Sequence, residues 1–299
     1  MALRKIVVGM DLTPGSEVAA RRAGEIAARH GAEVVLVFAA TVPEQPEVPA
    51  SMAPTAAALV KVLDDRLSAN RDELGAMRER VAAATGATVS QLIVDEFADD
   101  ALVAAATEVG ADLIVTGSRG RTGLRRWLLG SVAEHVVRQA DISVLVARAG
   151  DPDHGFARIV VGTDFSPGAT IALARAVELA EPGAVIDLVH CYHMPLLRPL
   201  PGVDPVLAED FHNLSTELVA DAHARGEAAV AVHAGAPVTF RIHVVDEHPR
   251  EAVCDLAEKV GADLVAVGSH GRRGLRRLIL GSVAEATVRH APCSVLVAR

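Results

Sequence analysis

Aromatic residues are scarce: one Trp, one Tyr and six Phe make up 3% of the 299 residues. A core must then be built from Ala, Val, Leu and Ile, a composition that suits buried parallel strands flanked by Ala-rich helices. Lysine is scarcer still, standing only at Lys5, Lys61 and Lys259. That argues against any mechanism built on a lysine-bearing phosphate loop. The three cysteines, Cys191, Cys254 and Cys293, are odd in number, far apart and without a C-x-x-C pair. A disulfide framework is not expected, and a reducing cytoplasm fits best. No apolar run approaches the 18 or so residues of a membrane-spanning helix, and the apolar stretch before Asp11 is too short for a signal peptide. Positive charge is also in deficit. A net charge of −9 and a pI near 5.7 argue against general binding to nucleic acid or anionic membranes.

Several catalytic signatures are missing as well. There is no Gly-Lys-Ser/Thr of a Walker loop, no G-x-G-x-x-G dinucleotide fingerprint and no G-x-S-x-G nucleophile elbow. Ten of the twelve histidines lie in the second half. His190 and His193 are spaced to fall on opposite faces of a strand end, so they are not read as a metal site. No nucleophile and base can be paired from spacing, and no catalytic residue is assigned.

What the chain does have is a repeat. Residues 117–148 and 268–299 share 23 of 32 positions without a gap. Upstream, Val109-Gly-Ala-Asp-Leu113 matches Val260-Gly-Ala-Asp-Leu264, and Val7-Val-Gly-Met-Asp11 matches Val160-Val-Gly-Thr-Asp164. The offset is 153 at the front and 151 at the back, so the middle differs slightly in length. Ala149–Gly155 has linker composition. Two domains follow, 1–150 and 155–299, each of ordinary domain size.

Hydrophobic periodicity gives the same element order twice. In the first half, short buried strands are predicted at Ile6–Val8, Val34–Phe38, Leu92–Val94, Leu113–Val115 and Val144–Val146. Helices are predicted over Ser16–His30, a long stretch carrying Leu59, Leu63, Leu67, Leu74, Met77 and Val81, then Asp99–Val109 and Ser131–Gln139. The second half repeats the strands at Ile159–Val161, Val185–Val189, Ile242–Val245, Leu264–Val267 and Val295–Val297. Alternating strands and helices imply right-handed crossovers and a parallel sheet with helices on both faces. The expected fold class is α/β, two tandem Rossmann-like domains of five parallel strands. Ligands of such sheets sit at the carboxyl ends of the strands, where the winding reverses.

The chemistry-bearing pattern is Gly117-x2-Gly120-x9-Gly130-Ser131, repeated as Gly268-x2-Gly271-x9-Gly281-Ser282. Gly117 and Gly268 directly follow a buried strand, where a glycine lets a phosphate come close to the backbone. On that reading, Gly117→Val with Gly268→Val fills the phosphate's space and abolishes binding. Gly130-Ser131 and Gly281-Ser282 open a helix whose free N–H groups and positive dipole end favour an anion, with Ser able to cap or to bind phosphate. Between them lie Arg119, Arg121, Arg125 and Arg126, and Arg272, Arg273, Arg276 and Arg277. These are cations suited to a triphosphate or simply a solvated loop face. Asp11 and Asp164 follow the first strand of each half. A carboxylate there can accept from a ribose hydroxyl or hold a divalent cation against phosphates; the alternative is an Asx turn at a helix start.

The G-x2-G-x9-G-S loop, the strand-end Asp and the closing Ser-Val-Leu-Val strand resemble the universal stress protein family, and the resemblance covers both halves. It implies an adenine-nucleotide-binding α/β fold with ATP as cofactor, accompanied by Mg2+ where a metal is used. It implies further that Gly9 and Asp11, and Gly162 and Asp164, lie near the ribose or adenine end. Ala39 and Cys191 would line the adenine pocket, and Val94 and Val245 would touch the base. Gly117, Ser118, Arg119, Gly120, Arg121, Thr122, Gly123, Gly130, Ser131 and Val132 would cradle ribose and phosphates in the first half. Gly268, Ser269, His270, Gly271, Arg272, Arg273, Gly274, Gly281, Ser282 and Val283 would do so in the second. Where the family often has Gly after the third strand, this chain has Glu96 and Glu247. Where it often has Pro before the last strand's Val, this chain has Ser143 and Ser294.

The function so implied is a cytoplasmic regulator that senses ATP in stress or growth arrest, one nucleotide per half, with little or no hydrolysis. The alternatives are a slow ATPase or nucleotide-handling enzyme, and an interaction scaffold with unused loops. The family's last strand commonly mediates pairing, which implies intramolecular pairing of the halves and a homodimer, since apolar edge strands are seldom left bare.

Overall fold

The computed structural model describes residues 3–40, 53–95, 98–118, 129–148, 155–192, 205–271 and 280–299. It divides into two compact units, Met1–Gly150 and Asp151–Arg299. The first unit runs β1 (Lys5–Met10), α1 (Pro14–His30), β2 (Glu33–Ala39), α2 (Ala53–Thr85), β3 (Thr88–Val94), α3 (Ala98–Glu108), β4 (Leu113–Gly117), α4 (Ser131–Gln139) and β5 (Ser143–Ala147). The second runs β6 (Phe156–Thr163), α5 (Pro167–Leu179), β7 (Ala180–Tyr192), α6 (Pro205–Ala231), β8 (Thr239–Asp246), α7 (Pro249–Val260), β9 (Leu264–Gly268), α8 (Ser282–His290) and β10 (Ser294–Ala298).

Within the first unit the strand order is β3-β2-β1-β4-β5, all parallel. Within the second it is β8-β7-β6-β9-β10, again parallel. The winding reverses between β1 and β4, and between β6 and β9, so a crevice opens at the carboxyl ends of those strands. In the first unit α1 packs with α2 and α3 packs with α4, the two-sided cover that right-handed crossovers produce. The sheet cores are aliphatic as the composition demands: Ile6, Val7, Val8, Leu36 and Val115 in one unit, and Ile159, Val160, Val161, Val265 and Ala266 in the other, are fully buried.

Helix ends follow local chemistry. α1 starts with Pro14, and the Ser16 hydroxyl accepts from the Thr13 N–H at 3.2 Å. α5 starts with Pro167, and Ser166 Oγ accepts from the Ala169 N–H at 3.3 Å. Gly31 and Gly261 close α1 and α7 at φ 65° and 63°, a conformation that costs glycine little.

The long helix departs from its expected burial. Leu74, Met77 and Val81 are buried, but Leu59 and Val62 are exposed. α2 has 33 residues, roughly 50 Å at 1.5 Å per residue, whereas the 7 residues of β3 span roughly 23 Å. The helix outruns the strand beside it, so its apolar spacing continues where the unit has no sheet to cover it.

The repeated Val-Gly-Ala-Asp-Leu segment has a structural role. Asp112 Oδ2 accepts from the Arg4 and Lys5 N–H groups at 2.8 and 3.1 Å, and Asp263 Oδ2 accepts from Ala157 and Arg158 at 2.7 and 3.0 Å. Each Asp ties the entry of β4 or β9 to the entry of the unit's first strand.

Candidate nucleotide site

Each unit carries a cavity at the carboxyl ends of its strands, of about 310 Å³ in the first and about 860 Å³ in the second. Both lie within the ~300–1,000 Å³ of small-molecule sites. In the first unit Gly9, Asp11, Ala39, Gly117, Gly130, Ser131 and Val132 line the cavity together. In the second, Gly162, Asp164, Cys191, Gly268, His270, Gly271, Gly281, Ser282 and Val283 do so. Val94 and Val245 are not among the described lining residues; they pair across the ladder with Ala39 and Cys191. Arg119, Gly120, Arg121, Thr122, Gly123, Arg272, Arg273 and Gly274 lie outside the described residues, as do Arg125, Arg126, Arg276, Arg277, Glu96 and His193.

The two ends of each Gly-rich loop are pinned to one another. The Gly130 N–H donates to Ser118 O at 3.0 Å, and the Ser118 N–H donates to Ala147 O at 2.9 Å. In the second unit Gly281 donates to Ser269 O at 2.8 Å and Ser269 to Ala298 O at 3.0 Å. Ser118 and Ser269 are therefore buried closure residues, and neither is among the described lining residues. The Ser269 hydroxyl shares a 3.0 Å hydrogen bond with His270 Nδ1.

The loop empties into a helix start. Gly130 and Gly281 occupy the N-cap positions of α4 and α8, with extended backbone and no side-chain cap. Ser131 and Ser282 are thus first helical residues and not the capping residues that the sequence allowed. Glycine as cap leaves the first-turn N–H groups facing the cavity walls formed by Ser282, Val283 and Ala284, a donor array with the dipole's positive end behind it.

Gly117 and Gly268 are needed for a different reason from the expected one. A Cβ on Gly117 would lie 2.9 Å from the carbonyl of Gly15, and one on Gly268 would lie 2.6 Å from the carbonyl carbon of Gly168. The backbone at the start of the unit's first helix, not a ligand, occupies that space. Gly271 differs: among the described residues its Cβ would meet the Asp164 side chain, with Oδ2 at 2.8 Å.

The strand-end carboxylates form the Asx turns that the sequence allowed. Asp11 Oδ1 accepts from the Thr13 N–H at 3.0 Å and from the Thr13 hydroxyl at 2.6 Å, and Asp164 Oδ1 accepts from the Ser166 N–H at 3.0 Å. These are Asx turns, yet both carboxylates line their cavities. The residues that follow them, Leu12 and Phe165, both stand at φ 61°, a left-handed conformation that costs a non-glycine residue about 1–3 kcal/mol and clusters at ligand sites.

Several lining residues escaped the sequence. Leu218, Asp221, Ala222 and Arg225 form one face of α6 at helical spacing and wall the second cavity. The Arg225 guanidinium sits 4.4 Å over the Phe165 ring, whose centroid is 4.6 Å from that of His190. His190 Nδ1 also donates to Thr163 O at 2.8 Å. Burial, with the Glu247 carboxylate adding to it, pushes the Cys191 thiol up to about 11. Such a thiol stays protonated at neutral pH and serves as a wall, not a nucleophile. Among the described residues no group of His, Cys, Asp and Glu is arranged to hold a metal on its own.

The model of the universal stress protein family matches residues 2–148 and again 155–299. The chain belongs to the universal stress protein family. A universal stress protein of Mycobacterium tuberculosis is 37% identical over 194 residues, which cover 63% of this chain and 62% of the relative. The match thus spans less than two thirds of that relative's length. A universal stress protein of Mycolicibacterium smegmatis is 27% identical over 300 residues, covering 98% of this chain and 96% of its own. The crystal structure of a universal stress protein from Archaeoglobus fulgidus superposes with a TM-score of 0.67 at 20% identity, covering 99% of this chain and 96% of that one. At that identity the likeness speaks for the fold alone. Among the described residues no helix is long and apolar enough to cross a membrane.

Proposed function

We propose that the chain is a cytoplasmic ATP-binding regulator of the universal stress protein family, with a candidate nucleotide site in each unit and little or no hydrolysis. One observation carries the reading. In each unit the strand-end Asp and the Gly-Ser helix start, which has no side-chain cap, meet in one cavity of ligand size, although about 120 residues separate them. Neutral apolar walls from Ala39 or Cys191 suit a base, and a glycine-capped helix start suits phosphate. Asp11 and Asp164 are the strand-end carboxylates toward which a ribose hydroxyl or the Mg2+ of a triphosphate would turn. Gly271 supports the fit, because any side chain there would press on Asp164.

Slow chemistry follows from what lines the cavities. No lysine stands in either loop, and phosphoryl transfer depends on charge stabilisation aimed at the transferring group. Stress or growth arrest as the signal, and a homodimer as the working assembly, belong to this same reading through the family.

The test is mass spectrometry of nucleotide released from the purified, denatured protein, followed by thermal denaturation with added ATP. At 100 times Kd, bound ATP adds about 2.7 kcal/mol to the stability of a site. Failure of ATP, ADP and AMP alike to shift the melting would leave the interaction-scaffold alternative standing. Sustained turnover above about 1 s⁻¹ would establish the enzyme alternative instead.

A further inference from the structure

We infer that the two sites are unequal: the second unit is the high-affinity nucleotide site, and the first binds at least tenfold more weakly. The inference rests on the proposed function for the nature of the ligand and on the described side chains for the inequality.

The sheet registers identify which residues correspond. Met10 pairs with Phe38 across β1 and β2, and Thr163 pairs with His190 across β6 and β7. Each pair lies at the carboxyl end of its strands and lines its cavity. In the first unit both members are large, apolar and almost fully buried, at 6% and 5% exposure. In the second, Thr163 is smaller. His190 is held by its hydrogen bond to Thr163 O and by its contact with the Phe165 ring.

A third position acts in the same direction. Leu102 of α3 lines the first cavity, with its Cδ2 2.8 Å from the point where a Cβ on Gly9 would stand. Its counterpart on α7 is Val253, one methylene shorter, whose Cγ2 stands 3.2 Å from the same point on Gly162. At these three positions the first unit carries the larger side chain, and the cavities are about 310 and 860 Å³.

A nucleotide finds less preformed space in the first unit than in the second. Preformed space is the lower-cost route to affinity, because less is reorganised on binding. The second cavity also offers Thr163 where the first offers Met10, and α6 adds the Asp221–Arg225 ion pair to its wall. A tenfold difference corresponds to 1.4 kcal/mol, a small demand for three positions.

The experiment is calorimetric titration of the whole chain with ATP and Mg2+, with hydrogen-exchange mass spectrometry on the same samples. The expected result is one tight equivalent, with protection of 162–164 and 281–285 appearing before that of 9–11 and 130–133. Thr163→Met with Val253→Leu should weaken the tight equivalent at least tenfold. Met10→Thr with Leu102→Val should bring the second equivalent to within tenfold of the first. Two equal equivalents, or one that protects the first unit first, would overturn the inference and leave the nucleotide reading intact. No heat and no protection with any adenine nucleotide would overturn that reading, and the inference with it.

Discussion

Gly268 and Gly168 meet backbone to backbone: a Cβ on the first would stand 2.6 Å from the carbonyl carbon of the second and 3.0 Å from the Ala169 amide nitrogen. Backbone cannot yield as the tip of a side chain can. Gly268→Ala should therefore act on folding, costing about 1–3 kcal/mol as overpacking does, and it should lower the melting temperature whether or not nucleotide is present. Among the described residues Gly271→Ala meets the tip of the Asp164 side chain. It should melt close to the parent and weaken ATP binding, by about tenfold or 1.4 kcal/mol. If the two variants lost stability equally, the division between a packing glycine and a cradle glycine would be wrong. For the same reason Gly117→Val with Gly268→Val is a poor probe of the phosphate site, since it breaks the fold first.

Asp263 illustrates a role that spacing could not reveal. Its carboxylate accepts from the backbone of Ala157 and Arg158, 106 and 105 residues away, and it is 6% exposed. Asp263→Ala leaves both donors without this partner. Hydrogen bonds to a charged group contribute about 1.5–3 kcal/mol each, so the variant should lose roughly 3 kcal/mol in urea denaturation, with nucleotide affinity per folded molecule unchanged. A loss under ~0.5 kcal/mol, the range of an ordinary surface substitution, would show that the clip is incidental.

The sequence carries strand and helix identity well here because the signals are local. β-branched runs mark buried strands, and the Gly130-Ser131 helix start falls where glycine can cap without a side chain. The strand-end Asp and the loop glycines are legible for the same reason. What approaches a glycine is not local: the spacing marks Gly117 and Gly268 correctly as positions intolerant of a side chain, but it cannot distinguish a phosphate from the neighbouring helix. The α6 face that includes Asp221 and Arg225 was hidden too, since helical periodicity shows that a face exists and not that it walls a cavity. The exposed Leu59 errs the other way, because a periodic pattern gives no account of where the sheet beneath it stops.

Asp187 is fully buried in β7, with Oδ1 2.7 Å from His243 Nε2 of β8 and Oδ2 3.6 Å from the Arg158 guanidinium of β6. The first unit has Val35 and Leu92 at the corresponding registers. Removing one partner of a buried ionic group costs about 3–5 kcal/mol, whereas replacing the whole arrangement with packed apolar side chains is often neutral. His243→Leu, which leaves the fully buried Asp187 carboxylate without its nearest partner, should therefore destabilise by that amount. Asp187→Val with His243→Leu should recover most of it, as Arg158, about 30% exposed, can turn its head to water. A double variant no more stable than His243→Leu, measured by urea denaturation, would show that the polar cluster is required by its surroundings.

Cys191 lines the second cavity with a thiol pushed up from 9.0 to about 11, chiefly by burial and further by the negative charge of Glu247. The folded state therefore holds this proton more tightly than the unfolded chain does. Its contribution to stability is present below pH 9.0 and is lost as the pH rises from 9.0 through about 11. Alkylation by iodoacetamide should be slow at pH 7.5 relative to an unhindered thiol of pKa about 8.5, and it should accelerate up to about pH 11. Glu247→Gln removes the smaller of the two causes, so the midpoint of the alkylation profile should move down while remaining above 9.0. Saturating ATP should slow the reaction further at every pH, because Cys191 would then sit against the base. Alkylation unaffected by ATP in a protein shown to bind it would remove Cys191 from the base wall and place the adenine elsewhere in the cavity.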